Sequence, residues 1–249
     1  MNAAHPLAAD TLQTLKKVST DTITGTLMKI AGMRTRAIRN VHPINRHRCE
    51  FVGPAYTLRY VPIREDHTDR ASAVAPGSRL HGKLDEIPAG SVLVIDMGGD
   101  ETSGALGDVI AARLIKLGVA GVVADGGMRD GRIISEMALP VFCRASAPPP
   151  SPRSLMAVGV QEIIGCGGVM VEPGDIVVGD GNGVAVIPRH LADEVARTGA
   201  EQELVEVWIK AQIEAGAPLS GHYPPTAEVI ARYNREQDQA KKSRSSGSR

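Results

Sequence analysis

The chain has 249 residues with 28 basic and 28 acidic side chains, so it carries no formal net charge and no global field draws it to nucleic acid or an anionic membrane. Aromatic residues make up only 3%, too few for a base-stacking platform, and no apolar run is long enough to span a bilayer. The three cysteines, Cys49, Cys143 and Cys166, are spaced too widely for a zinc motif or a disulfide framework, and the N-terminus lacks a basic segment followed by an apolar run, which makes the cytoplasm the expected location.

Taken in chain order, Leu12 to Ile30 has a helical pattern broken at Ser19-Thr20-Asp21, where Thr20 or Asp21 is expected to cap a second short helix through Leu27. Ile38 to Ile44 and Phe51 to Tyr60 are predicted strands, and Pro54 implies that the second lies at an edge or carries a bulge. The polar, then alanine-rich stretch from Arg64 to Arg79 has room for a short helix. Val92 to Asp96 is consecutively apolar, as a strand buried on both faces would be. Leu106 to Lys116 follows the helical period and Val119 to Ala124 is a second apolar run, so the three segments form a βαβ unit of typical size. Arg132 to Ala138 is a short helix stopped by Pro140, and the prolines from Pro148 to Pro152 read as an exposed loop. Ile176 to Val178 and Val184 to Ile187 flank Asp180-Gly181-Asn182-Gly183 as a hairpin. A C-terminal helix is expected from His190 to Ala215, with a break near Gly199, and Lys241 to Arg249 reads as a disordered basic tail.

Chemistry concentrates between Val94 and Asp130. Asp130 follows an apolar strand, the usual ligand position at the carboxyl edge of an α/β sheet, and its carboxylate suits Mg²⁺ or Mn²⁺. It could equally cap the helix that begins near Gly131. Arg129 can hold a carboxylate bidentately or stabilise an enolate oxygen, or simply pair with Asp125. Asp108, next to Gly107, could orient a water or move a proton, or merely complement the helix dipole. The first-turn amides of Val109 and Ile110 could receive a substrate carboxylate. Gly98-Gly99, Gly104 and Gly107 allow close backbone approach, but no dinucleotide or phosphate-loop spacing is present. His42, His47, His67 and His81 are scattered, and Cys166 has no positioned histidine beside it. Glu203 and Glu206 lie on the C-terminal helix, where a solvated face competes with a reach into a neighbouring subunit's site.

GALGDVIA followed by GVVADGGMRD, with VSTDTITGTL, FVGPAYTL and PGDIVVGDGNGVAVIP in support, resembles the metal-dependent 4-hydroxy-4-methyl-2-oxoglutarate aldolase family, which also includes proteins named as regulators of ribonuclease activity. The resemblance runs from about Leu15 to Gly216. It implies an αββα sandwich-like α/β domain over 15–233, with an extension over 1–14 and the tail over 234–249. It also implies a homotrimer or homohexamer with sites near subunit boundaries. By resemblance, Asp130 binds Mg²⁺ or Mn²⁺ through a water-rich shell, Arg129 contacts keto and leaving groups, Asp108 organises water and protons, and Gly107, Val109 and Ile110 receive a pyruvate carboxylate. Gly25 stands where family members often carry aspartate. The expected activity is retro-aldol cleavage of a small 4-hydroxy-2-oxo acid to pyruvate, with oxaloacetate decarboxylation alongside. The alternatives are a non-enzymatic regulatory binding protein on the same fold, or a metal-assisted sugar-acid lyase or hydratase.

Overall fold

A computed structural model describes residues 7–64, 66 and 79–246. The chain opens with α1 (Thr11–Leu15) and α2 (Thr20–Ala31), followed by two short strands, β1 (Ala37–Ile38) and β2 (His42–Pro43). Then come β3 (Phe51–Pro62), α3 (Arg79–Asp85), β4 (Val92–Asp96), α4 (Asp108–Leu117) and β5 (Gly121–Ala124). The second half continues through β6 (Gly127–Met128), α5 (Gly131–Glu136), β7 (Val141–Cys143), β8 (Ala145–Ser146), β9 (Leu155–Val160), β10 (Ile164–Cys166) and β11 (Val169–Val171). It ends with β12 (Ile176–Asp180), β13 (Gly183–Ile187), α6 (Ala192–Glu214) and α7 (Ala227–Ser246). The short helix expected between Arg64 and Arg79 lies outside the described residues apart from its ends. Among the described residues, no helix is long and apolar enough to cross a membrane.

The main sheet runs β1-β13-β12-β3-β4-β5-β7-β2, with β9 also on β3. β4, α4 and β5 make the expected βαβ unit, with β4 and β5 parallel. Alternation along the strands divides the interior into layers. Leu93, Ile95, Val122 and Ala124 share one core with Leu106, Ala111 and Leu114 of the α4 region. Val92, Val94 and Val123, on the opposite face, share a second core with Val177, Val184 and Val186. The outer face of the β12–β13 half, through Ile176, Val178, Ala185 and Ile187, packs on Leu15, Ile23, Leu27 and Val195 of α1, α2 and α6. The sheet therefore folds over on itself between two helical layers, an αββα sandwich.

Pro54 is not at an edge, because β3 is the strand on which the two halves of the sheet meet. Residues 51–54 pair antiparallel with β12, and pairing with β4 begins only at Ala55. Proline's missing N–H thus falls where one ladder gives way to the next. The β3 irregularity lies further on, between Arg59 and Tyr60 opposite β9. Four other expectations are corrected. Ser19, not Thr20 or Asp21, caps α2. The strand expected over Ile38–Ile44 divides into β1 and β2, which pair with β13 and β7 respectively, with Asn40 turning between them at φ 59°. α6 runs unbroken through Gly199, because a Cβ there would lie 2.6 Å from Val18 Cγ1 and glycine is what lets α6 approach so closely. α7 continues as helix to Ser246, through most of the stretch whose composition reads as a tail.

Candidate active site

The sequence Gly126-Gly127-Met128-Arg129-Asp130 leaves β5 and passes beside the loop that precedes α4. Ala105 N donates to Gly127 O and Arg129 N to Leu106 O, each at 3.0 Å. These bonds hold the GALGD segment against the GGMRD segment. A Cβ on Gly104 would lie 2.4 Å from Arg129 Cγ and 2.7 Å from Arg129 N, and one on Gly107 would lie 2.4 Å from Asp130 Oδ2. The two glycines are the floor on which Arg129 and Asp130 rest.

Asp130 adopts φ 52°, ψ 32° at the start of α5, and its side chain makes no capping bond to that helix. Aspartate tolerates the left-handed region better than most residues. The turn aims the carboxylate at α4 instead, where Asp108 N donates to Asp130 Oδ2 across a long 3.4 Å. Asp130 is exposed and Asp108 half-buried. Two carboxylates therefore meet at the N-terminus of α4, which Gly107 opens without a side-chain cap. Asp108 Oδ1 accepts from Val109 N at 2.8 Å. The amide expected to receive a substrate carboxylate thus already holds a carboxylate, the protein's own. The Val109 side chain is 79% exposed, so this turn opens to solvent.

The alternative partner for Arg129 does not materialise. Asp125, 4% exposed, accepts from Met97 N at 2.6 Å and Gly167 N at 3.0 Å, and serves to fasten the β10–β11 loop to the end of β4. Burial raises its carboxyl above the ordinary range despite these two donors. Arg129 Nε, by contrast, is buried without a hydrogen-bond partner, and an orphaned guanidinium donor is costly unless a ligand completes it.

The cysteines fall away as nucleophiles. Burial pushes the Cys166 thiol well above its ordinary value and that of Cys143 to about 11, which removes the thiolate a nucleophile needs. Glu203 accepts from Ser19 N at 2.9 Å and Ser19 Oγ at 2.8 Å within the same chain, while Glu206 accepts from Gln202 Nε2 at 2.8 Å. His67 lies outside the described residues. Among the described residues, no three His, Cys, Asp or Glu side chains converge as a metal-ligand set. A hard cation at Asp130 would accordingly keep most of its water. A Cβ on Gly25 would meet nothing within 4 Å, so that position is open rather than crowded. The sequence marks Gly104 and Gly107 as points of close backbone approach, and what approaches them, Arg129 and Asp130, lies more than twenty residues further along the chain.

Residues 11–186 match the family model described as RraA-like, Aldolase/RraA. A Halalkalibacterium halodurans protein named "Putative 4-hydroxy-4-methyl-2-oxoglutarate aldolase" is 32% identical over 171 residues, 68% of this chain and 74% of its own length. Protein DlpA of Legionella pneumophila is 31% identical over 68% of this chain, but the match spans only 26% of DlpA. Among solved structures, Streptomyces coelicolor RraAS2, described as an unusual member of the RNase ES inhibitor RraA protein family, superposes with TM-score 0.75 at 28% identity, covering 83% of this chain and all of that one. An uncharacterized protein from Pseudomonas syringae pv. tomato superposes with TM-score 0.74 at 25% identity, covering 86% of this chain and 97% of its own. The sandwich is shared with both.

Proposed function

The chain belongs to the RraA-like (Aldolase/RraA) family, and on that premise we propose that it is a divalent-metal-dependent carbon–carbon lyase that cleaves a small 4-hydroxy-2-oxo acid and releases pyruvate. The observation that carries this reading is that the Asp130 carboxylate, which makes no capping bond to its own helix, reaches the first turn of α4, while Arg129 beside it, packed over Gly104 and Gly107, keeps a buried and orphaned Nε.

The donor set fits one hard cation: Asp130 offers exposed carboxylate oxygen, the absent Cβ of Gly107 leaves it room, and water would complete the shell. Mg²⁺ or Mn²⁺ held there would supply positive charge beside the 2-oxo group. The chain's own residues do the rest. The substrate carboxylate takes the Val109 amide, with Ile110 beside it, and displaces Asp108's carboxylate from that donor. Asp108, once turned outward, accepts the 4-hydroxyl proton through a water. The C3–C4 bond breaks, its electron pair passes into the pyruvate enolate, and C4 becomes a carbonyl. Arg129 stabilises the developing enolate oxygen, and a proton delivered to C3 completes pyruvate. Oxaloacetate decarboxylation uses the same enolate and would be a second activity. A homotrimer or homohexamer, with sites near subunit boundaries, belongs to this reading.

Purified Arg129→Ala and Asp130→Ala should both fold and lose at least about a hundredfold in metal-dependent turnover, assayed on oxaloacetate and 4-hydroxy-2-oxo acids with Mg²⁺ or Mn²⁺. Full turnover by folded Asp130→Ala would sink the ligand assignment.

A second reading is a non-enzymatic regulatory binding protein on the same fold. The description of the RraAS2 structure and the lack of a three-residue ligand set among the described residues weigh in its favour over the lyase. Stable capture of a protein partner, together with no turnover across 2-oxo and hydroxy acids, would select it.

A further inference from the structure

The polar run Asp100-Glu101-Thr102-Ser103 leads into Gly104, and the chemistry set out above uses none of it. One oxygen of Asp100 acts locally. Its Oδ1 accepts from Thr102 N at 2.7 Å and from Thr102 Oγ1 at 2.6 Å, the turn that aspartate commonly makes with the residue two places on. The other oxygen reaches across the chain: Oδ2 accepts from Ser154 Oγ at 2.8 Å, and Ser103 Oγ lies 2.8 Å from the same hydroxyl. Ser103 is fully buried, and Asp100 and Ser154 are half-buried. Burial alone would raise the Asp100 carboxyl, but the bonds from Thr102, Ser154 and Ser103 outweigh it and hold it below the ordinary aspartate range.

These bonds close a ring. Gly104 N donates to Pro149 O at 2.8 Å and Ser151 N to Gly104 O at 3.1 Å, so the proline-rich segment grips Gly104 through both of its backbone groups. That segment turns through Ser151–Arg153, where Ser154 N donates to Ser151 O at 3.1 Å, and delivers the Ser154 hydroxyl to Asp100. From Asp100 the chain leads back to Gly104. Arg129 lies against this ring, since a Cβ on Gly104 would be 2.4 Å from Arg129 Cγ and 2.7 Å from Arg129 N. The ring is also pinned to the segment that carries Arg129, where Gly127 N donates to Asp100 O at 2.9 Å. Arg129 Nε has no hydrogen bond of its own, so the place of the guanidinium depends on packing against the ring.

We propose that Asp100 is a positioning residue for the reaction: through its bond to Ser154 it keeps the ring closed, holds Gly104 in place and so fixes where the Arg129 guanidinium stands. The proposal rests on the lyase reading only for the task Arg129 performs. Opening the ring would let Gly104 shift, and a displacement of about 1 Å at a charge-stabilising group costs up to about a hundredfold in rate. Asp130 is not a member of the ring, so the cation site is unaffected.

The test reads Arg129 directly. Its Nε–H resonance, identified by its loss in Arg129→Lys, is followed by nuclear magnetic resonance in isotope-labelled full chain, comparing wild type, Asp100→Asn, Ser154→Ala and Glu101→Gln. Asp100→Asn removes the charge from the bond and Ser154→Ala removes the donor, so each should quicken solvent exchange at Nε–H about tenfold or more, with melting temperatures within a few degrees of wild type. Glu101→Gln alters the same loop at a residue paired with Arg144 and should change nothing. Where the wild type turns over oxaloacetate with Mn²⁺, kcat should fall about tenfold or more in the first two variants with Mn²⁺ affinity unchanged, and Ser154→Thr, which keeps the hydroxyl, should restore it. Should Asp100→Asn fail to fold, Ser154→Ala carries the test. Wild-type exchange in the folded variants, equal quickening in Glu101→Gln, or quickened exchange with undiminished kcat would each overturn the proposal. A wild type inactive on every oxo acid would sink the lyase reading instead, and the exchange rates alone would then decide whether Asp100 positions Arg129.

Discussion

Gly107 and Gly104 sit three residues apart, yet a methyl group added at each would do different damage. At Gly107 it would meet the Asp130 Oδ2 tip at 2.4 Å; at Gly104 it would meet the Arg129 backbone nitrogen at 2.7 Å. A carboxylate tip can swing away and backbone cannot. Gly107→Ala should therefore keep a melting temperature within a few degrees of wild type and weaken Mn²⁺ binding about tenfold, read by electron paramagnetic resonance titration; unchanged Mn²⁺ affinity would remove Asp130 from the cation site. Gly104→Ala should instead cost about 1–3 kcal/mol of stability, seen as a shifted urea midpoint. What the sequence reveals at this scale is position. Asp108, Arg129 and Asp130 fall at element ends because the neighbouring apolar runs stop there, and that is a local property. Orientation is not local. Asp130's left-handed turn, Asp108 folding onto the Val109 amide and the use of Asp125's oxygens by Met97 and Gly167 all depend on which segments meet.

Among the elements, the start of α2 shows how a helix end is secured across the chain. Ser19 Oγ accepts from Thr22 N at 3.2 Å and donates to Glu203 of α6 at 2.8 Å, while Thr20 N and Thr20 Oγ1 donate to Asp180 at 2.8 Å. Burial alone would raise the Glu203 carboxyl, but the bonds from Ser19 and Thr22 outweigh it and hold it below the ordinary glutamate range. A lowered carboxyl adds stability above its unfolded pKa, and that contribution is lost as pH falls through the lowered folded value. Glu203→Gln should accordingly destabilise the protein near neutral pH and flatten its loss of stability below about pH 4.3, followed by urea midpoints against pH; an unchanged acid slope would mean the bond is not formed in solution. Ser19→Ala should cost about 1 kcal/mol. β4, α4 and β5 were legible from their apolar runs, because a strand buried on both faces and an amphipathic helix each leave a pattern. The strands between Ala145 and Val171 left none, being short and divided by turns such as Gly167-Gly168. Nor could Pro54 reveal that β3 is central, since that depends on partners more than a hundred residues away.

For the molecule as a whole, the division of labour between α6 and α7 can be tested by truncation. Both helices follow the segment that matches the family model, which ends at residue 186. The first half of α6 nevertheless belongs to the sandwich: Ala192, Val195 and Ala196 are buried against Leu15, Ile23 and Leu27. α7 instead joins the far half of α6 in a small satellite core, where Val229 meets Val205 and Ile209 and Trp208 packs edgewise on Tyr233 with ring centroids 5.8 Å apart. A chain ending at Ala217 should lose only that satellite, melt a few degrees lower and still unfold cooperatively. A chain ending at Leu191 should lose the cover over α1 and α2. Each large side chain thereby uncovered forfeits about 1.5–3 kcal/mol, against a total stability of about 5–15 kcal/mol for a typical domain. With Leu15, Ile23 and Leu27 facing water together, cooperative unfolding should disappear. Scanning calorimetry distinguishes the two chains, and a sharp transition from the shorter one would mean that the α1–α2 layer holds to the sheet without α6.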